Sequence, residues 1–289
     1  FDSSDHDQGV GRITGSGSLL KTGSSSLYVG DSSYTGGTTV SAGALRITNG
    51  VMAGDIVNNA VVEFSRSGAA ATYAGVISGS GSLDKTGNAE LTLTGANTFT
   101  GGTTVHSGSL QLGDGGSTGS VLGNVTVLAS LAFNRADLVT FAGDIAGYGQ
   151  VEFRGAGTTT LTGNNSYTGD TFVHVGSRLQ LGAGGTSGTL SGTNWIHLAD
   201  NADFTVNRAD DFSLGANIHQ WYGSNTFNKL GAGTLTLTGA SNPSNGTTVG
   251  AGTLKVAGWL NGDIANNAAL AFDSSDHDQG VGRITGSGS

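Results

Sequence analysis

Cysteine is absent from the 289-residue chain, and proline and methionine occur once each. Without cysteine there are no disulfides, thiolate metal sites or cysteine nucleophiles, which is compatible with a secreted bacterial protein that crosses an envelope unfolded. Charge is scarce: 11% of residues, less than half the roughly 25% of an ordinary globular domain. Only 12 of the charged residues are Lys or Arg, against 21 acids and a net charge of −9. A nucleic-acid reader held by phosphate contacts is thereby excluded. No apolar run approaches the roughly 20 residues of a bilayer-spanning helix, so this segment does not insert into a membrane in that way. What the chain has in excess is glycine, 52 residues. The glycines keep no three-residue period, which excludes collagen, and 36% apolar content argues against disorder. The chain starts at Phe1 without an initiator Met, so it is expected to be an internal piece of a longer protein.

The dominant feature is repetition. Residues 1–18, FDSSDHDQGVGRITGSGS, recur letter for letter at 272–289, a displacement of 271. A shorter period lies inside that one. GSGSLLKTG at 15–23 matches GSGSLDKTG at 79–87; LTLTGANTFTGGTTV at 91–105 matches LTLTGASNPSNGTTV at 235–249; LTGNNSYTGDTFV occupies 161–173. Gly43, Gly108, Gly176 and Gly252 follow the successive copies. They define four units, approximately 15–78, 79–146, 147–222 and 223–289, within a single continuous segment.

Within the units apolar and small polar residues alternate, as in Leu91-Thr92-Leu93-Thr94, Leu110-Gln111-Leu112 and Leu235-Thr236-Leu237. Period two with frequent Gly, Asn, Asp and Ser describes short strands joined by tight turns. No window carries the 3.6-residue stripe of a helix. Short strands recurring from unit to unit predict an all-β protein, a β-solenoid whose coils stack on one another. A propeller is disfavoured because the units are unequal in length, where the blades of a closed ring repeat evenly. The leucines named above are expected in the core, with Thr92, Thr94, Gln111 and Thr236 facing out. The two eighteen-residue copies are expected to share one conformation.

GSGSLDKTGNAELTLTGANTFTGGTTVHSGSLQLG (79–113) resembles the repeat of autotransporter passenger domains, and all four units share the pattern. The resemblance implies a right-handed parallel β-helix with coils of about 22–24 residues, at the short end of solenoid repeats. It also implies type V secretion and an extracellular or outer-membrane-surface location on a Gram-negative bacterium.

Protease members of that family carry nucleophile loops, and the nearest strings here are incomplete. Gly113-Asp114-Gly115-Gly116-Ser117 has Gly where a Gly-Asp-Ser-Gly loop needs Ser, and Gly185-Thr186-Ser187 has no supporting His or Asp motif. Lys21 and Lys85 follow Gly-rich stretches, but Leu20 and Asp84 stand where a phosphate loop needs Gly; these read as repeated turn lysines. The acidic group Asp2, Asp5 and Asp7, repeated as Asp273, Asp276 and Asp278, has donors for Ca²⁺ or else forms a solvated loop; no other cofactor is expected. The repeat breaks between Thr193 and Asn228. There Trp195, Trp221 and Tyr222 are expected either to stack on a glycan or protein partner or to close a long loop over the helix. The reading is a non-catalytic, adhesin-like or filament-forming surface shaft whose partner is itself, end to end or side by side. A glycan- or receptor-binding module using 193–228 is the alternative, and a carbohydrate-active β-helix enzyme, needing two carboxylates across a groove, the third.

Overall fold

In the computed structural model, residues 1–2, 4–273 and 280–289 are described, so Asp276 and Asp278 lie outside the described residues. The described chain is all strand and turn, with no helix, and its parallel sheets stack as a β-solenoid of about 14 turns. Each strand pairs with the strand one turn on, because a short alternating segment can bury one face only by lying over its own next copy.

Residues 1–134 and 135–289 form two units. In the first, Ser26–Val29, Ala44–Thr48, Val61–Ser65, Ser82–Thr86, Thr103–Val105 and Val125–Val127 form one parallel ladder. A second face runs through Ala71–Tyr73, Glu90–Leu93, Ser109–Leu112 and Ser130–Phe133. Leu27, Leu45, Val62 and Leu83 stand directly over one another in register, all fully buried. Each such side chain contributes about 1.5–3 kcal/mol relative to exposure. In the second unit the corresponding ladder joins Thr158–Leu161, Arg178–Leu181, Asp203–Asn207, Thr226–Leu230, Thr247–Val249 and Asn261–Asn266. Beside it Gln150–Phe153, Thr171–Val173, Trp195–Leu198 and Asn217–Gln220 make a second face.

The coils vary in length and are mostly shorter than the expected length of about 22–24 residues. Leu254 pairs with Leu270, sixteen residues on, whereas Arg178 pairs with Asp203, twenty-five on. A turn can gain or lose loop residues without disturbing its strands, so the stack tolerates unequal rungs.

Leu91, Leu93, Leu110, Leu112, Leu235 and Leu237 are at most 1% exposed, as alternation requires. Thr92 and Gln111 are buried too, contrary to expectation, while Thr94 and Thr236 are half-buried. Thr92, Gln111 and Ala132 are consecutive rung partners, so on this outer face each small side chain is roofed by the next. Gln111 Nε2 donates to Gly113 O (3.0 Å).

Lys21 and Lys85 are not surface turn residues. They and Lys229 are at most 1% exposed. Lys85 Nζ donates to Thr86 O (3.0 Å), Gly87 O (2.8 Å) and Ser107 O (3.0 Å). Lys21 and Lys229 do the same with the carbonyls of Thr22, Gly23 and Ala42, and of Leu230, Gly231 and Ala251. The aliphatic stem lies in the core while the ammonium ties a turn to the rung above. Asparagine serves similarly at other corners. Asn58 and Asn266, from the matching strings GDIVNNA and GDIANNA, each accept from the backbone N–H two residues on and donate to a carbonyl of another rung.

The turn glycines after each copy show why the repeat keeps them. Gly108 has φ +68°, and a Cβ there would lie 2.5 Å from Gly87 O of the rung below.

The two identical eighteen-residue segments differ in extent of strand. Gln8–Val10 pairs with the following rung at Ser26–Val29, whereas Gly280–Thr285 runs longer and pairs with the preceding rung at Asn261–Asn266. The neighbouring rung, not the segment's own letters, determines how much of it is extended.

Candidate functional site

The stretch 193–228 is not a loop laid over the helix. It contains strands Trp195–Leu198, Asp203–Asn207, Phe212–Leu214 and Asn217–Gln220, which continue the stack. Trp195-Ile196-His197-Leu198 alternates, and Ile196 and Leu198 are fully buried. That leaves large aromatic residues on the outside of a regular rung. Two long coils account for the extra spacing.

Ladder register builds the outer face in columns. Glu152, Phe172, His197 and His219 are successive partners on four adjacent strands. His197 is at the centre. Its ring stacks on Phe172 (centroids 4.8 Å, 17° between planes) and lies parallel to Trp195 (6.1 Å, 14°). His219 meets both His197 (5.5 Å) and Trp195 (5.9 Å) edge to face. Trp221 closes the other flank, 5.7 Å from Phe172, 6.1 Å from His174 and 5.3 Å from Tyr222. Trp195, Trp221 and Tyr222 are 42, 47 and 46% exposed, so the structure gathers all three around the histidines and leaves their faces accessible.

The polar groups in this patch hold it rigid. Glu152, only 6% exposed, accepts from Gln150 Nε2 (2.9 Å) and Arg154 Nε (3.1 Å), and lies 2.9 Å from His174 Nε2. Burial pushes its carboxyl upward, but the bonds from His174, Arg154 and Gln150 outweigh that and hold it well below the usual carboxylate range. His197 Nε2 is 3.4 Å from Asp170 Oδ2, and its Nδ1 is 3.4 Å from Nδ1 of His219.

Glu152, Asp170, Phe172 and His174 were not singled out from sequence, although two of them break the repeat. The strings Thr38-Thr39-Val40, Thr103-Thr104-Val105 and Thr247-Thr248-Val249 correspond to Thr171-Phe172-Val173, and the Gly before three of them corresponds to Asp170.

Among the described residues the acidic group does not converge. Asp2 Oδ1 accepts from Ser4 N (3.2 Å) and Ser4 Oγ (2.6 Å), Asp7 Oδ1 accepts from Ser26 N (2.7 Å), and Asp273 pairs with Lys255 (3.1 Å). Asp5 lines a shallow depression with Asp2 and His6. Among the described residues no group of three or more His, Asp or Glu is placed to hold a metal ion. Short carboxylates in a turn are consumed by the nearest backbone and hydroxyl donors.

Comparison with known proteins places this architecture. The passenger-associated-transport-repeat matches four times, at residues 19–47, 83–112, 154–181 and 227–256. The adhesin BmaC autotransporter of Brucella suis biovar 1 (strain 1330) is 32% identical over 162 residues, 47% of this chain and 5% of that protein. The chain therefore aligns with only a small part of that adhesin's length. No solved structure matches. With four copies of that repeat matched along a parallel β-solenoid, this chain is similar in sequence to autotransporter passenger repeats.

Proposed function

We propose that the chain is a segment of a surface-exposed, non-catalytic, adhesin-like shaft on a Gram-negative bacterium, and that the aromatic patch of its second unit is where it touches glycan or receptor. The observation that carries this is the accessible cluster of Trp195, Trp221 and Tyr222 on an otherwise Thr-, Ser- and Gly-rich outer surface. Exposed aromatic faces on a rigid sheet bind sugar rings or partner side chains with little entropic loss. The rigid stack supports a shaft: each rung templates the next, so length is added without a new fold. Two carboxylates border the patch: Glu152 is buried and bonded to three side chains, and Asp170 is held against His197 (3.4 Å), an arrangement that favours binding over hydrolysis. The adhesin relative supports the same reading.

The test is adhesion of cells displaying this chain to a glycan- or receptor-coated surface. Trp195→Ala, Trp221→Ala and Tyr222→Ala together should abolish attachment while leaving the circular-dichroism spectrum unchanged. Undiminished attachment by the triple variant refutes the assignment of the patch.

A further inference from the structure

We infer that His197 and His219 form a two-histidine Zn²⁺ site on the outer face of the second unit, with Asp170 as the carboxylate that orients the first ligand. This is independent of the adhesin reading.

The separation of the two imidazoles suits a tetrahedral ion. Two nitrogens each about 2.0–2.1 Å from one Zn²⁺, at a tetrahedral angle, stand about 3.3–3.4 Å apart. A right angle at the ion, as square-planar Cu²⁺ or octahedral ions require, brings two such nitrogens to about 2.9 Å. The observed Nδ1–Nδ1 distance is 3.4 Å. Binding releases to solvent the proton carried between the two nitrogens, and the ion lies about 1.2 Å to one side of the line joining them.

The surroundings supply what a metal-binding imidazole needs. Asp170 Oδ2, 3.4 Å from His197 Nε2, favours a proton on Nε2 and so a free lone pair on Nδ1, the carboxylate–histidine arrangement that raises ligand basicity. Phe172 and Trp195, both nearly parallel to the His197 ring, hold it in its plane. Trp195 packs edge to face on His219, and ladder pairing fixes the two backbones opposite one another. The pair is thus preorganised on strands rather than on loops. Two protein donors leave two positions for water or for a donor from a bound partner, so the metal would be exchangeable rather than structural.

The experiment titrates the full chain with zinc chloride by calorimetry and follows the imidazole ring nitrogens by long-range ¹H–¹⁵N NMR. One saturable site is expected, with Nδ1 of two histidines shifting together. His197→Gln and His219→Gln should each weaken binding at least about tenfold, and Asp170→Asn about 10–100-fold. His174→Gln, which removes a histidine of the same patch, should leave affinity unchanged. Unaltered affinity in the His197→Gln/His219→Gln double variant, unaltered affinity in Asp170→Asn, or shifts at Nε2 instead of Nδ1 would overturn the site. The NMR measurement on the unaltered chain stands whether or not a variant folds.

Discussion

Changing Phe99 to Tyr should make the protein more stable. In the first and third sequence repeats (15–78 and 147–222) a tyrosine four residues before a buried threonine hydrogen-bonds its hydroxyl: Tyr34 with Thr38, and Tyr167 with Thr171 at 2.7 Å. The second sequence repeat (79–146) has Phe99 at this position and the fourth (223–289) has Pro243, and there the hydroxyls of Thr103 and Thr247 are buried without a partner. The four copies form a natural comparison. Phe99 is fully buried, as are Tyr34 and Tyr167, so the pocket in the sister units already accommodates the added oxygen. A net intramolecular hydrogen bond is worth about 0.5–1.5 kcal/mol, and an unsatisfied buried hydroxyl costs about 1–3 kcal/mol. Desolvating the new hydroxyl offsets part of this, leaving a gain of about 1 kcal/mol. Because solenoids need not unfold in one step, the gain is best read by amide hydrogen exchange of the 99–105 rung, where protection should rise about fivefold. Thr103→Val in the same background should erase the gain. Unchanged or weaker protection in Phe99→Tyr, or a gain that survives Thr103→Val, would refute the reasoning.

Gly108→Ala should destabilise more than Gly176→Ala. Both glycines have positive φ, +68° and +69°, but only Gly108 has backbone oxygens within 3 Å of a new Cβ, and Gly176 has nothing within 4 Å. Gly176→Ala should therefore cost only the left-handed backbone term, about 1–2 kcal/mol, and denaturant titration of the pair checks the order. Stability should also depend on pH in the alkaline range. Burial, aided by Arg66, lowers the folded pKa of Lys85 to about 8, and burial lowers Lys21 and Lys229 in the same direction. The folded state then releases protons before the unfolded one, so stability rises from about pH 8 towards the unfolded lysine value of about 10.4. Tyr73 and Tyr167, raised by burial, act oppositely and lower stability above about pH 10. Thermal midpoints across pH 7–11 should show a maximum, and Lys85→Met should reduce the climb. In acid, the depressed carboxyl of Glu152 contributes stability present above about pH 4.3 and lost below it. Glu152→Gln should flatten that acid limb in the same midpoint series.

The core was largely legible because alternation is a direct consequence of strand geometry: Leu91, Leu93, Leu110 and Leu112 could be assigned inward without knowing which strands pair. The interior lysines were not legible. Lys85 sits on the inward parity of Leu83-Asp84-Lys85, but its charge argues for solvent, and only the position of the Ser107 carbonyl one rung on shows how the ammonium is satisfied. The burial of Thr92 and Gln111 was hidden for the same reason, since the roof over each comes from the neighbouring rung, distant in sequence. Rung length was obscured because each repeat unit spans several coils of unequal length. At the candidate site, Trp195 and Trp221 stood out as departures from a small-residue pattern. Glu152 and Phe172 did not, because their relation to His197 exists only once register stacks residues 152, 172, 197 and 219 into one column.

The absence of native cysteine permits the most direct test of the central claim, that each coil stacks in parallel register on the next. Leu20, Thr39 and Val57 are successive ladder partners on the outer face of the first unit. Adjacent rungs lie about 4.8 Å apart and alternate rungs about 9.6 Å, and a disulfide cannot bridge Cα atoms more than about 7 Å apart. Oxidation of three double-cysteine variants, followed by mass spectrometry, reads this geometry. The solenoid predicts bridges in Leu20→Cys/Thr39→Cys and Thr39→Cys/Val57→Cys and none within a chain of Leu20→Cys/Val57→Cys. Ready closure of the 20–57 pair, with the two neighbouring pairs left open, would contradict it.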